Sequence, residues 1–405
     1  MDTSLVAYFF DDECLTFSLS LYLLVLIMIQ TYKQALSPYI KTDHAWFFWK
    51  GRVALYCFLK SLGLWPGDEV IVPGFTCVVV ANAILYVGAK PIYVDIEADT
   101  LVVPVSHYKA AITKKTKAII VQNTLGLSLY TQAIHDLAKQ HGICSIDDCT
   151  HGFGGETDGK ANGAICDASF FSTQWNKPFS TGLGGIMVIN SKQYLAEFEK
   201  EYAKMKSPSW LSQLSLLGLV CIRKLCLNAW TYWFLMKWYR FLSRHHLILG
   251  SSLGEELQGI QKPKDYEKRM GCIQLFLGVQ ALKKFPQQLK QRQEMAKIYT
   301  QFLTQHQKWH VPTKLMDQHT FLKYPILVKN RAKFMEKAQK DNVPLGDWFL
   351  SPLHPIKEGF DRWELETQTV PVAVDISQKI LNLPTDVKTV QSVLDFLEKN
   401  KDDLL

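Results

Sequence analysis

The sequence predicts an α/β fold built on a mostly parallel sheet with flanking helices. Two observations carry this. Short apolar runs that read as strands alternate with stretches of helical spacing between Val70 and Asp147, the pattern of parallel strands joined by crossover helices. Polar and titratable residues then collect where strands end, at Asp147-Asp148 and between Ser172 and Lys177. Ligands of open parallel sheets gather at the carboxyl ends of the strands. A chain of 405 residues is long for one small core. The expected division is an apolar N-terminal extension over 1–27, a large domain over 28–260 and a smaller C-terminal α+β domain over 261–405.

Each element follows from its local pattern. Leu15 to Ile29 carries no charge and follows Asp2, Asp11, Asp12 and Glu13. The acidic lead-in argues against a secretory signal, and the run is short for a membrane span. Residues 45–60 show helical spacing through Ala54, Leu55, Phe58 and Leu59, with Gly51 near the start. Such a helix start offers free N–H groups to a phosphate. Val70–Pro73 reads as a strand, 77–87 as a helix and Pro91–Asp95 as a strand. Lys117–Val121 is a strand, Gln132–His141 a helix and Ile143–Asp147 a strand. Phe170–Gly185 reads as strand, polar turn, strand. Helical spacing through Leu282 and Tyr299 precedes a strand at Tyr324–Val328. Asp347–Pro355 is an aromatic and histidine loop that either faces a substrate or packs around Trp348. Asp386–Asn400 closes the chain as an amphipathic helix.

Composition is that of a globular protein: 48% apolar, 20% charged, net charge +7. The modest positive charge suits an anionic small molecule and gives no sign of a nucleic-acid partner. Nine cysteines are scattered without metal-ligand spacing, so no metal is expected and the thiols read as reduced, in a cytoplasmic protein.

Lys177 and Asp148 point to a specific chemistry. A lysine in a polar turn can form a Schiff base, and Ser172, five residues earlier, can hold a phosphate. An acid on a neighbouring strand end can pair with a pyridinium nitrogen. Together these are what pyridoxal 5′-phosphate (PLP) requires.

Four segments, in this order and spacing, resemble the DegT/StrS-type nucleotide-sugar aminotransferases, PLP enzymes of fold-type I. They are Gly51–Leu55 with Leu62–Pro73, Ala81–Ile96, Asp147–His151 and Ser172–Gly185; weaker matches follow at Tyr266–Met270 with Gln274 and at Asn382–Pro384. The resemblance implies that Lys177 holds the cofactor aldehyde and moves the proton, and that Asp148 pairs with the ring nitrogen. It places His151 at the ring or its phenolic oxygen, Ser172 at the phosphate, and the backbone of Gly51, Arg52 and Val53 at the helix-start cradle. It also implies transfer of an amino group, from a donor such as L-glutamate, to a nucleotide-linked keto-sugar by a homodimer. The sequence departs from the family at four places. Arg52 stands where threonine or serine is usual, which puts its side chain on a phosphate or a substrate diphosphate. Cys77 replaces an aromatic ring cover, a role left open to Phe75. Leu183 replaces an acid, and Glu267 replaces an asparagine that serves the partner subunit.

The segment 207–249 is the remaining anomaly. It holds Trp230, Tyr232, Trp233, Trp238 and Tyr239, no acid, and Arg223, Lys224, Lys237, Arg240 and Arg244. This is the composition of an interfacial helix on an anionic membrane, against the alternative of a hairpin packed in a dimer or over the site. Two other functions are weighed. A sugar dehydratase of this family would lack Lys177. A non-catalytic scaffold bound to a membrane partner would bind no cofactor.

Overall fold

The computed structural model describes residues 15–42, 44–157, 159–226, 231, 238, 254–385 and 390–405. The chain enters through helix α1 (Leu15–Ile40), strand β1 (Ala45–Phe48) and helix α2 (Gly51–Ser61). The helix expected from residue 45 therefore starts only at Gly51. Lys50 is extended (φ −146°, ψ 152°), and the Ala45–Phe48 run, rich in aromatic residues, pairs antiparallel with a neighbouring strand from Ala45↔Val188 to Phe48↔Gly185. Bulky aromatic residues suit a pleated surface covered on both sides.

Next come β2 (Glu69–Pro73), β3 (Thr76–Cys77), α3 (Val78–Tyr86), β4 (Lys90–Val94), α4 (Val105–Ala111), β5 (Thr116–Gln122), α5 (Thr131–Gln140) and β6 (Cys144–Asp148). After the small hairpin β7 (Glu156–Thr157) and β8 (Lys160–Ala161) follow β9 (Ala168–Ser172) and β10 (Gly185–Ile189). One seven-stranded sheet results, in the order β1-β10-β9-β6-β5-β2-β4. β10 alone runs against its neighbours. Gln122, Asp148 and Phe170 fall in one row across β5, β6 and β9, so the carboxyl ends of these strands form a common floor.

Helices α6 (Leu195–Ala203), α7 (Trp210–Cys226), α8 (Gly254–Gln258) and α9 (Cys272–Gln305) follow. The chain ends with β11 (Tyr324–Leu327), α10 (Arg331–Lys340), β12 (Leu353–His354), α11 (Pro371–Lys379), β13 (Ile380–Leu383) and α12 (Val390–Lys399). A second core unites Tyr299, Tyr324, Phe334, Leu381 and Phe396 around the β11–β13 pair. Phe349, Leu353, Trp363 and Ile376 instead join the core of the large sheet. The parallel β3–β12 pairing brings His354 beside Cys77.

Where it is described, the apolar N-terminal run forms the first part of α1. α1 continues through residue 28, and Tyr32, Leu36 and Ile40 pack with Leu282 and Phe285 of α9, while Leu23, Leu24, Leu26 and Ile27 remain exposed. Of the aromatic segment, Trp230, Tyr232, Trp233, Tyr239 and the basic Lys237, Arg240 and Arg244 lie outside the described residues, as do residues 1–14 and the start of the closing helix at Asp386. Among the described residues no helix is long and apolar enough to cross a membrane.

Candidate active site

The strand ends meet α2, the β3–β12 junction and the Trp348 loop around a cavity of about 190 Å³. Gly51, Arg52, Cys77, Asp148, His151, Ser172 and Lys177 all line it. Val53 and Phe75 do not. The Val53 N–H donates to the Lys50 carbonyl (3.1 Å) and its side chain is in the core. Phe75 packs on Phe349 with centroids 4.8 Å apart, one layer behind the wall, so it does not take over the ring-cover position.

Asp147 and Asp148 show how a strand sorts two adjacent acids, since successive side chains point to opposite faces. Asp147 is fully buried and accepts from Asn123 Nδ2 (2.9 Å) and the Gly163 N–H (3.0 Å); burial raises its pKa to about 6. It is structural. Asp148 faces the cavity and accepts from the Thr150 N–H at 3.0 Å. Burial raises its pKa, and the Thr150 hydrogen bonds and the Lys177 ammonium oppose that shift.

Lys177 sits in the turn between β9 and β10, where its N–H donates to the Gln174 carbonyl. Burial lowers its pKa to about 8; Asp148 and Cys77 pull it up and Arg52 pushes it down. An amine with that pKa is neutral in a useful fraction near neutral pH, as a nucleophile must be. Its Nζ lies 4.8 Å from the Trp348 ring centroid, and that indole stacks on His151 at 4.7 Å and 10°. Asn382 of β13 grips both the N–H and the carbonyl of Trp348 (2.9 and 2.5 Å). The Asp347–Pro355 loop thus faces the cavity through Trp348, Phe349, His354 and Pro355.

The start of α2 is pressed against β9 and β10. A Cβ on Gly51 would lie 2.9 Å from the Ser172 Cβ, and one on Gly185 would lie 2.4 Å from the Lys50 carbonyl oxygen. Both positions need glycine for this approach. The first N–H groups of a helix have no intrahelical acceptor; with the Ser172 side chain against them they make an anion cradle. The Arg52 side chain is not part of it. It pairs with Glu256 of α8 at 2.7 Å, both side chains buried, with Lys50 Nζ at 3.8 Å from the same carboxylate. Arg52 thus shares one carboxylate with Lys50 while it still borders the cavity, rather than standing there as a lone phosphate ligand.

The other two departures also have local causes. Leu183 is buried with Trp49 and with Leu216 of α7, where an acid would be desolvated. Glu267 pairs with Lys262 and with Lys60 (3.6 Å), and the Tyr56 hydroxyl donates to it (3.2 Å). Gln122, Thr150, Gln174 and Glu256 were not singled out by sequence reasoning. Gln122 donates to the Phe75 carbonyl and accepts from Thr76 Oγ1. Its place opposite Asp148 in β5 was the one signal that could have found it.

The pocket fits PLP on its own evidence. Lys177 and Asp148 share one wall, the Gly51–Ser172 cradle would be filled by a single added Cβ, and the buried His151 Nδ1 has no partner. Among the described residues no group of three or more His, Cys, Asp and Glu could hold a metal ion.

The DegT/DnrJ/EryC1/StrS aminotransferase family matches residues 27–209 and 249–395. The chain belongs to that family. The unmatched interval coincides with α7 and the aromatic segment. The chain is 30% identical over 307 residues to an uncharacterised protein of Methanocaldococcus jannaschii, MJ1066, covering 74% of this chain and 70% of that one. It is 38% identical over 163 residues to the GDP-perosamine synthase of Vibrio cholerae, 40% of this chain and 44% of that enzyme. The match thus spans less than half the length of that relative. Among solved structures, an aminotransferase from Psychrobacter cryohalolentis superposes with a TM-score of 0.71 at 18% identity, over 93% of this chain and 92% of that one. A putative sugar aminotransferase of Streptococcus pneumoniae, crystallised in its PLP form, superposes at 0.69 and 20% identity, over 92% and 90%. These confirm the fold. Enzymes of this family use PLP as cofactor, in keeping with the lysine, acid and cradle found here.

Proposed function

We propose that this chain is a PLP-dependent aminotransferase that moves an amino group from a donor such as L-glutamate to a keto-sugar, nucleotide-linked, as a cytoplasmic homodimer. The observation that carries the reading is the convergence of Lys177 and Asp148 in one enclosed pocket, with the lysine pKa brought down to about 8 by burial. The cofactor, when bound, supplies the electron sink that makes the carbon next to the amine acidic. The rest is done by the chain. Lys177 would hold the cofactor by its aldehyde, and its amine, neutral in part near pH 7, would be the base that moves the substrate's proton. Asp148 holds the proton on the ring nitrogen. The α2 start and Ser172 would hold the phosphate. His151, whose buried Nδ1 has no partner, would hold the ring's phenolic oxygen. Trp348 closes the other side and excludes water. The perosamine synthase and related sugar aminotransferases among the relatives support the sugar acceptor.

The test is the visible spectrum of the purified protein with PLP, for wild type and Lys177→Ala. A lysine-bound cofactor band in the wild type, absent in the variant and bleached by L-glutamate, is the expected result. No band in either protein would sink the reading and leave a non-catalytic scaffold.

A peripheral contact with the inner membrane face is a finer part of the proposal. Leu211, Leu214 and Leu225 of α7 are exposed and support it, whereas Arg223 turns inward and does not. Liposome co-sedimentation of wild type against Leu211→Glu/Leu225→Glu decides it; equal pelleting would remove the membrane role.

A further inference from the structure

We infer that Trp348 is the aromatic face on which the cofactor ring stacks, a binding role beyond closing the pocket. This deepens the aminotransferase reading and rests on it.

Among the described residues, three phenylalanine or tryptophan rings line the cavity: Phe170, Trp348 and Phe349. Phe170 is buried in β9, and Phe349 is buried against Phe75. Trp348 is half-buried. Cys77, which also lines the cavity, offers no π-face. The backbone that carries Trp348 is fixed. The Asn382 side chain bonds its N–H and its carbonyl, and the Asn382 backbone pairs in both directions with Gly346 (2.8 and 3.0 Å). The indole is therefore presented to the cavity from a segment pinned to β13.

Two groups that would meet the cofactor ring both lie against this indole. The His151 imidazole is nearly parallel to it, with centroids 4.7 Å apart and planes 10° apart. Lys177 Nζ stands over it, 4.8 Å from the centroid. The buried His151 Nδ1 has no partner, and a group bonded to a ring nitrogen lies in the imidazole plane. An oxygen held there starts in a plane that the indole already faces. A flat ring anchored by that oxygen at one point and by Lys177 at the other lies along the indole, within the range of offset stacking. A positively charged pyridinium gains further from the electron-rich indole face, which the Lys177 ammonium uses now.

A wall that only excludes water needs bulk, whereas a stacking face needs a π-system. Trp348→Leu keeps bulk and loses the face; Trp348→Phe keeps a smaller face. PLP affinity is measured by absorbance titration and the bound cofactor band by circular dichroism, with melting without PLP as the folding control. Trp348→Leu should bind PLP ~10-fold more weakly, the size of a lost aromatic pair, and its dichroic band should weaken. Trp348→Phe should lose about threefold or less. Should Trp348→Leu melt too low to assay, Trp348→Met takes its place. Equal affinities in the Phe and Leu variants overturn the inference, and so does tighter binding in either, which would make the indole an obstacle to the ring. A wild type that shows no cofactor band sinks the aminotransferase reading itself. A wild type with the band, and no contrast between Phe and Leu, sinks the stacking role alone.

Discussion

The floor of the pocket and its rim are held by different forces. On the floor, Asp148 and Ser172 end adjacent parallel strands, and ladder hydrogen bonds set their positions. On the rim, Arg52, Glu256 and Trp348 come from distant parts of the chain and are held by side chains: an ion pair, and the Asn382 grip on Trp348. A floor residue can therefore be changed at the cost of chemistry alone, whereas a rim residue carries stability with it.

Asp148→Asn keeps the shape of the floor and removes its charge. Turnover should fall about 10³-fold, as when a positioned acid or base is lost. The melting temperature without PLP should not fall, because burial already makes the ionised carboxylate costly in the empty pocket. A melting scan beside single-turnover kinetics checks both halves. A large loss of stability would mean that the floor is not held by its backbone.

Glu256→Gln attacks the rim. It leaves Arg52 and Lys50 buried without their counter-charge, which should cost about 3–5 kcal/mol of stability. PLP affinity should fall with it, because Arg52 and Lys50 sit at the start of the helix that cradles the phosphate. Denaturant unfolding measures the first and cofactor titration the second. Adding Arg52→Met to Glu256→Leu should recover part of the loss, since an apolar pair replaces a broken ionic one.

The same contrast decides what was legible in the sequence. Lys177, Asp148, His151 and Ser172 belong to short local patterns, each a strand and its turn, and the structure brings all four to one cavity. The alternation from β2 to β6 was equally readable, because period and polarity switch with each element. Contacts between distant segments were not. Nothing in the neighbourhood of Arg52 signals Glu256, so the arginine read as a phosphate ligand. Phe75 looked like a ring cover because sequence distance cannot tell the wall from the layer behind it. β1 was absorbed into α2 because Trp46, Phe47 and Phe48 are apolar at any period; only the β10 ladder makes them a strand.

Lys177 also gives the floor a pH signature. Its pKa of about 8 lies below the ordinary lysine value. Below pH 8 each unit of rise should speed PLP capture roughly tenfold, since the neutral amine is the nucleophile, and the rate should level off above it. Stability runs the same way without cofactor. The folded protein binds fewer protons than the unfolded chain between the two pKa values, so stability rises with pH across that window and is lowest below it. Stopped-flow absorbance from pH 6 to pH 9 reads the capture rate. A flat profile would show that the amine is not desolvated as the geometry requires.

Glu267→Gln should have the smallest effect, and it separates a lost family contact from a rebuilt one. Glu267 sits among Lys60, Lys262 and Tyr56, half-exposed, and its neighbouring ammonium groups hold its carboxyl below the usual range against the opposing effect of burial. Exposed pairs of this kind are worth at most about 1 kcal/mol, so the melting temperature should drop by no more than a few degrees and PLP affinity should not change. The small drop should disappear in high salt, which screens what remains of the attraction. A marked fall in PLP affinity would instead place Glu267 in the cofactor site of a second subunit, and would move it from the stability of one chain to the chemistry of a dimer.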